Sequence, residues 1–269
     1  MSGTLYIVAT PIGNLDEITF RALETLKSVD LILCEDTAHS AKLLNRYGIK
    51  AEKLSYHKFN EAARLEGILE NLKAGKNIAL ISDAGMPAIS DPGEKLVAVC
   101  RREGMTVNVI SGACALVNAF AMSGLSAPFT FLGFLPDKNK DRQAFIAPYI
   151  NSPSSLIFYC APHDVKKTLE FLYLVLGARK AVICRELTKL HEEAIDFVLG
   201  GEINFTLLGE FVIITEGAPP KAAPELSAEE QLAKYLAEGI PKKEAVKRVA
   251  IEHGVPRNEI YQLALKIFK

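Results

Sequence analysis

The sequence predicts an α/β protein. Two α/β domains, the first with a parallel sheet and the second with a mixed one, precede a small helical tail. Three observations predict this. Short apolar runs alternate with amphipathic runs, several of them closed by glycine, from residue 4 to residue 217. The pattern pauses at Ser123-Gly124-Leu125-Ser126-Ala127-Pro128, which is small and polar, and then restarts. A second break, Ala218 to Pro224, is stiffened by three prolines and leads into capped helical segments. The expected division is 1–123, 128–217, a linker at 218–226 and a helical, helix-turn-helix-like tail at 227–269.

The first half reads as parallel βαβ units. Thr4 to Ala9 is a strand, almost wholly apolar as buried parallel strands are. After the turn Thr10 to Asn14, Asp16 caps a helix through Lys27 with Ile18, Ala22, Leu26 and Val29 on one face. Strand 31–34 ends in the polar turn Glu35-Asp36-Thr37-Ala38-His39-Ser40, before a helix that Gly48 stops. Residues 53–58 give a short strand and 61–73 a helix. Strand 77–81 feeds a long loop, 82–93, and then helix 94–103. Strand 106–110 runs through Ser111 to Ala115 into helix 116–122. Ligands in open α/β sheets sit at the carboxyl ends of strands, so these four strand-end loops are the candidate site.

The 82–93 loop is the most informative. It holds Asp83 and Asp91, a glycine at 85, and no lysine or arginine. Polyphosphates are held by lysine and backbone N–H groups, so the loop argues against one. It suits a ligand with hydroxyls or positive charge, and it also suits a plain βα turn with capping aspartates.

In the second half, strand 129–134 leads to a charged helix, then strand 155–159, helix 165–176 and strand 181–184. Arg185-Glu186-Leu187-Thr188-Lys189 is the densest polar group at a strand end there. Lys189 can bind phosphate or orient a hydroxyl, and Glu186 can act as a base; structural pairing of Arg185 with Glu186 is the competing reading. Segments 194–199 and 210–215 read as two strands, paired antiparallel around Gly200-Gly201. In the tail, Ser227 and Glu230 form a capping box for a helix to Glu238. Helices 242–253 and 257–268 flank Gly254-Val255-Pro256. Residues 227–269 hold eight basic and six acidic side chains, with Lys242, Lys243, Lys247 and Arg248 bunched. That bunching fits RNA contact and fits a solvated helix surface.

Composition narrows the classes. Apolar residues make up 49% of the chain and charged residues 23%, enough for a full core. A net charge of −1 gives no global field for nucleic acid, so any RNA site is a local patch. The five cysteines are scattered, without zinc spacing, and no metal site is expected. No apolar run approaches the ~20 residues that span a bilayer, and no signal peptide precedes the first strand. A cytoplasmic protein is therefore expected. HExxH, GxSxG, Walker and GxGxxG motifs are absent, which removes the common metalloprotease, hydrolase, NTPase and dinucleotide readings.

Six stretches taken in order resemble the tetrapyrrole methylase superfamily. They are Leu5 to Leu15, Glu35-Asp36-Thr37, Ser82 to Gly93, Gly133-Phe134-Leu135-Pro136, Arg185 to Lys189, and Gly209-Glu210-Phe211-Val212. The likeness is greatest to the branch that 2′-O-methylates a cytidine of 16S rRNA in the small ribosomal subunit. The resemblance implies the tetrapyrrole methylase fold, a homodimer, and S-adenosyl-L-methionine held in the cleft between two α/β domains. It implies cofactor contacts at Thr10, Pro11, Asp83, Gly85, Met86, Ala113, Cys114, Leu135 and Pro136. Catalysis would fall to Glu186 and Lys189, and RNA contacts to Glu35, Asp36, Arg185, Lys242 and Lys243. The chain departs from the family pattern at Ala38, where an arginine is usual, at Ser40 and Met86 for threonines, and at Ser111 to Cys114. Cys160 stands for a glutamate and Asp164 for an arginine, and Asp164 is expected to repel RNA. These departures keep two alternatives open: a relative that binds cofactor or RNA without transfer, and a small-molecule methylase of the same fold.

Overall fold

A computed structural model of the chain describes residues 2–219 and 226–267. The expected linker therefore lies largely outside the described residues, as does Phe268 of the last expected helix. The chain divides into two compact units, Met1–Ala218 and Pro219–Lys269. No helix among the described residues is long and apolar enough to cross a membrane.

The first unit holds two five-stranded sheets. The first contains β1 (Thr4–Val8), β2 (Leu31–Cys34), β3 (Glu52–Ser55), β4 (Ile78–Ile81) and β5 (Thr106–Ile110), in the order β3-β2-β4-β1-β5 and parallel throughout. Helices α1 (Phe20–Ser28), α2 (Thr37–Arg46), α3 (Glu61–Lys73) and α4 (Glu94–Arg102) cover its faces. Every residue of β2 and β4 is buried, which is why each reads as an unbroken apolar run. The connection leaving β1 runs past β4 to β2, whereas the one leaving β4 runs the other way to β5. Such a reversal opens a crevice at the carboxyl ends of β1 and β4.

Helix α5 (Ala115–Ser123) follows β5, yet its buried Leu116 and Ala119 pack on Ile157, Val182 and Val212 of the second sheet. That sheet is β6 (Phe129–Phe134), β7 (Ser155–Cys160), β8 (Lys180–Arg185), β9 (Glu193–Val198) and β10 (Phe211–Thr215), in the order β6-β7-β10-β8-β9. It is mixed: β6 and β7 are parallel, and the remaining pairs are antiparallel. Its other face carries α6 (Asn139–Ile146) and α7 (Val165–Leu176).

Three expectations are corrected. Strands β9 and β10 are not partners, because β8 and β9 form the hairpin and β10 lies on the far side of β8. The helix read from Asp16 to Lys27 is broken: Asn14 caps a single 3-10 turn, and Thr19 caps α1 by accepting the Ala22 N–H. Asp164 does not offer a bare charge to RNA. It pairs with Arg142, whose side chain is 1% exposed and also donates from Nε to the Pro136 carbonyl at 2.6 Å. Removing the arginine leaves the Asp164 carboxylate without its counter-ion and the Pro136 carbonyl without its donor. Arg142→Met is therefore expected to cost about 3 kcal/mol, lowering the melting midpoint by roughly 6–12 °C in calorimetry. Asp164→Asn keeps an acceptor and should cost less.

The second unit packs α8 (Ala228–Ala237), α9 (Lys242–His253) and α10 (Arg257–Ile267) around Leu232, Val246, Val249 and Ile260. The capping box of Ser227 and Glu230 is formed, and Gly254 at φ +65° makes the turn between α9 and α10. Lys243, Lys247 and Arg248 are exposed, while Lys242 is half-buried.

Candidate active site

The crevice at β1 and β4 is closed by backbone pairing. Thr10 N–H donates to the Gly85 carbonyl at 2.9 Å, and Gly85 N–H returns a bond at 3.1 Å. Gly85 has φ +81°, and a Cβ there would lie 3.1 Å from Ile12 Cγ2. Thr10 is buried, and its hydroxyl donates to the Ser82 carbonyl at 3.1 Å, which fixes the loop.

A cavity of about 370 Å³ lies between the two sheets. Loops of the first sheet supply Ile12, Glu35, residues 83–86, Ser90 and Asp91, and the start of α5 supplies Cys114. The second sheet supplies Phe134, Tyr159, Cys160, Leu187, Glu210 and Val212. The four strand-end loops of the first half thus meet at one edge. A smaller cavity of about 310 Å³ shares Ile12, Asp83, Ala84 and Glu210 with the larger one. Thr10, Pro11, His39, Ser40, Lys42 and Lys189 also line it.

The larger cavity is acidic. Burial, then the neighbouring Asp83 charge, pushes the Glu35 carboxyl up. Burial, then Glu35, pushes Asp91 up to about 7. Asp83 Oδ1 accepts the Asp36 N–H at 3.2 Å, tying the 82–93 loop to the start of α2. Asp36 itself lines neither cavity. Its Oδ1 accepts the N–H groups of His39 and Ala38, which hold its carboxyl below the usual range.

The weakened acidity of Asp91 has a sign. The folded chain holds that proton more tightly than the unfolded chain, so this group favours folding in acid. That contribution fades as pH rises from about 4 to about 7. A cationic ligand needs the anion. Its affinity should therefore climb between about pH 5.5 and about pH 8 in calorimetric titrations, and Asp91→Asn should flatten the rise.

The turn after β8 is differently arranged from expectation. Arg185 pairs with Glu193, its cross-strand neighbour, and donates to the Leu208 carbonyl at 3.2 Å. Glu186 lines neither cavity. Its Oε1 accepts Lys189 Nζ at 2.8 Å and the Glu210 N–H at 3.0 Å. Burial alone would raise the Glu186 carboxyl, but those two donors outweigh it and the net direction is down. Lys189 also donates to Glu210 Oε2 at 3.0 Å. Glu186 sits at φ +51°, and a Cβ on Gly209 would lie 2.4 Å from its carboxylate. Gly13 is as tightly placed, since a Cβ there would meet Lys189 Cγ at 2.5 Å.

The remaining expected residues divide. Asp83, Gly85, Met86 and Cys114 line the larger cavity. Ala113 packs against the core at the start of α5. Leu135 is buried in the second sheet's core, and Pro136 offers its carbonyl to Arg142. Lys242 and Lys243 lie in the second unit. Sequence reading missed Tyr159, whose hydroxyl accepts the Leu116 N–H at 3.2 Å and which burial pushes up to about 12. It also missed the roles of His39 and Lys42 as cavity walls. The strand-end rule applied to β7 would have pointed to Tyr159; the turn after β2 already held His39, and Lys42 lies further on, in α2.

Comparison with known proteins gives two family matches, "Tetrapyrrole (Corrin/Porphyrin) Methylases" over residues 4–201 and "RsmI C-terminal HTH domain" over residues 222–267. A protein of Halalkalibacterium halodurans named ribosomal RNA small subunit methyltransferase I is 44% identical, covering 97% of this chain and 94% of its own. A Synechocystis protein of the same name is 42% identical, covering 98% of each. The solved structure of uroporphyrin-III C-methyl transferase from Thermus thermophilus, complexed with S-adenyl homocysteine, has a TM-score of 0.55. It is 17% identical and covers 79% of this chain and 96% of its own, a likeness of fold.

Proposed function

This chain belongs to the tetrapyrrole methylase family, and from that premise we propose a reaction: methyl transfer from S-adenosylmethionine to the ribose 2′-oxygen of a cytidine in 16S rRNA. The observation that carries this reading is the reach of the likeness. Relatives named as small-subunit rRNA methyltransferases match over 97–98% of the chain, tail included.

The larger cavity fits the donor. Glu35, Asp83 and Asp91 suit a sulfonium and an ammonium group, and among the described residues no lysine, arginine or histidine lines the space. Ile12, Met86, Leu187 and Val212 supply apolar walls for a nucleoside. When bound, the donor would supply an electrophilic methyl group to the ribose oxygen, with the C–S electron pair staying on sulfur and the hydroxyl proton passing to a carboxylate of the wall.

The chain's own residues hold and orient the reactants, the main requirement of an in-line displacement. Lys189 steadies negative charge on the acceptor oxygen or an adjoining phosphate. Glu186 is a positioning residue that holds Lys189, since a carboxyl kept ionised by two donors is a weak base. Asp83 and Glu210 stand in the wall common to both cavities and are placed to take the proton. The reading places the protein in the cytosol with its ribosomal substrate. It also includes a homodimer, which the exposed apolar side chains Val117, Met122 and Phe129 favour.

Incubation with 30S subunits and methyl-labelled donor should label 16S rRNA at one cytidine ribose. Cys160 in the cavity wall favours a second reading, a binding-only relative. Donor binding without label would establish that reading and remove ours.

A further inference from the structure

The two adjoining cavities differ in charge. Carboxylates alone charge the larger one. The smaller one is lined by His39, Lys42 and Lys189 beside Asp83 and Glu210. Lys189 is already matched by Glu186 and Glu210. Lys42 is different: it is exposed, and among the described residues it has no carboxylate at ion-pair distance. His39 lies three residues before it on α2, so both side chains share one helix face. Ser40, 3% exposed, adds a hydroxyl with no hydrogen-bond partner. A basic helix face at the mouth of a concave site suits phosphate.

We propose that the smaller cavity is the acceptor pocket: it takes the ribose-phosphate of the target nucleotide, with Lys42 and His39 against phosphate and the 2′-oxygen at the wall shared with the larger cavity. This rests on the methyltransferase reading above and adds the acceptor's place to it. The volume, about 310 Å³, is at the low end for small-ligand sites and admits one nucleotide, not a duplex. The target therefore leaves its stack before reaction. The shared wall of Ile12, Asp83, Ala84 and Glu210 is where the acceptor oxygen meets the donor carbon. The unshared charges separate the ligands: Glu35 and Asp91 repel phosphate from the larger cavity, and Lys42 repels a sulfonium from the smaller one.

The test compares Lys42→Glu, Lys42→Ala and His39→Ala with Lys50→Glu, a control at an exposed turn. Each is assayed for donor affinity by calorimetry and for methyl transfer to 30S subunits over a range of salt. Lys42→Glu should raise KM for 30S about tenfold or more and reduce the salt slope by about one, with kcat and donor affinity within about twofold. The two alanine variants should raise KM about three- to tenfold, and the control should leave it unchanged. Unchanged donor affinity certifies folding in each variant, and Lys42→Ala carries the test if the charge reversal fails to fold. A wild-type KM in Lys42→Ala and His39→Ala, or an equal rise in the control, would overturn the acceptor pocket and leave the enzyme reading intact. A wild-type chain that labels no rRNA would remove the parent reading, and the pocket with it.

Discussion

Lys189→Met should lower kcat for methyl transfer by about 100-fold or more, while leaving donor affinity within a few fold. Lys189 lines the acceptor-side cavity and none of the donor cavity. Its ammonium is held at 2.8 Å from Glu186 and 3.0 Å from Glu210, so it is aimed before substrate arrives. A preorganised cation gains most where charge develops, which here is on the ribose 2′-oxygen as its proton leaves. The substitution also leaves two carboxylates without a counter-ion. Both are partly solvated, with Glu210 at 70% exposure, so the stability cost should stay near 1 kcal/mol. Glu186→Gln separates orientation from base catalysis. As a positioning residue, its loss should cost about tenfold in kcat and leave the acid limb of the pH–rate profile in place. If Glu186 were the base, the variant would lose that limb and nearly all activity.

Asp83→Asn should weaken S-adenosylmethionine binding about ten- to a hundredfold, the loss of a charge-assisted contact worth roughly 1.5–3 kcal/mol. The substitution is chosen because Asn keeps Oδ1 as an acceptor for the Asp36 N–H, so the loop stays attached to α2. What disappears is charge, in the wall shared by both cavities. Because Asp83 is also placed to take the hydroxyl proton, kcat should fall alongside the affinity. Unchanged affinity by calorimetry would mean that the cation is held elsewhere.

The parallel half of the fold was legible because its strands are buried on both faces. Ile78 to Ile81 and Leu31 to Cys34 carry apolar side chains throughout, and their alternation with amphipathic helical runs marks them as parallel interior strands. Sheet order in the second half was not legible. The order β10-β8-β9 depends on long-range pairing, and a Gly-Gly pair between two runs says nothing about a strand inserted between them. The donor cavity was half legible: loops at the ends of β1, β2, β4 and β5 converge as the topology requires. Tyr159, which closes the cavity from the second sheet, lies in a run that reads as core, whereas Phe134 belongs to a stretch that carries the family resemblance. The polar neighbours of Glu186 suggested a base, but its left-handed backbone and the space left by Gly209 fold the carboxylate back onto Lys189 and the Glu210 N–H. Asp164 needed a partner 22 residues earlier, Arg142, that no local pattern announces.

The account turns on a cation held by carboxylates between two sheets. The most direct measurement is a crystal structure of the chain soaked with S-adenosylmethionine. The account predicts the sulfonium among Glu35, Asp83 and Asp91, with its methyl group directed to the wall of Asp83 and Glu210. Density beside Lys42 and His39 instead, or a donor cavity filled by the Met86 and Cys114 side chains, would contradict it.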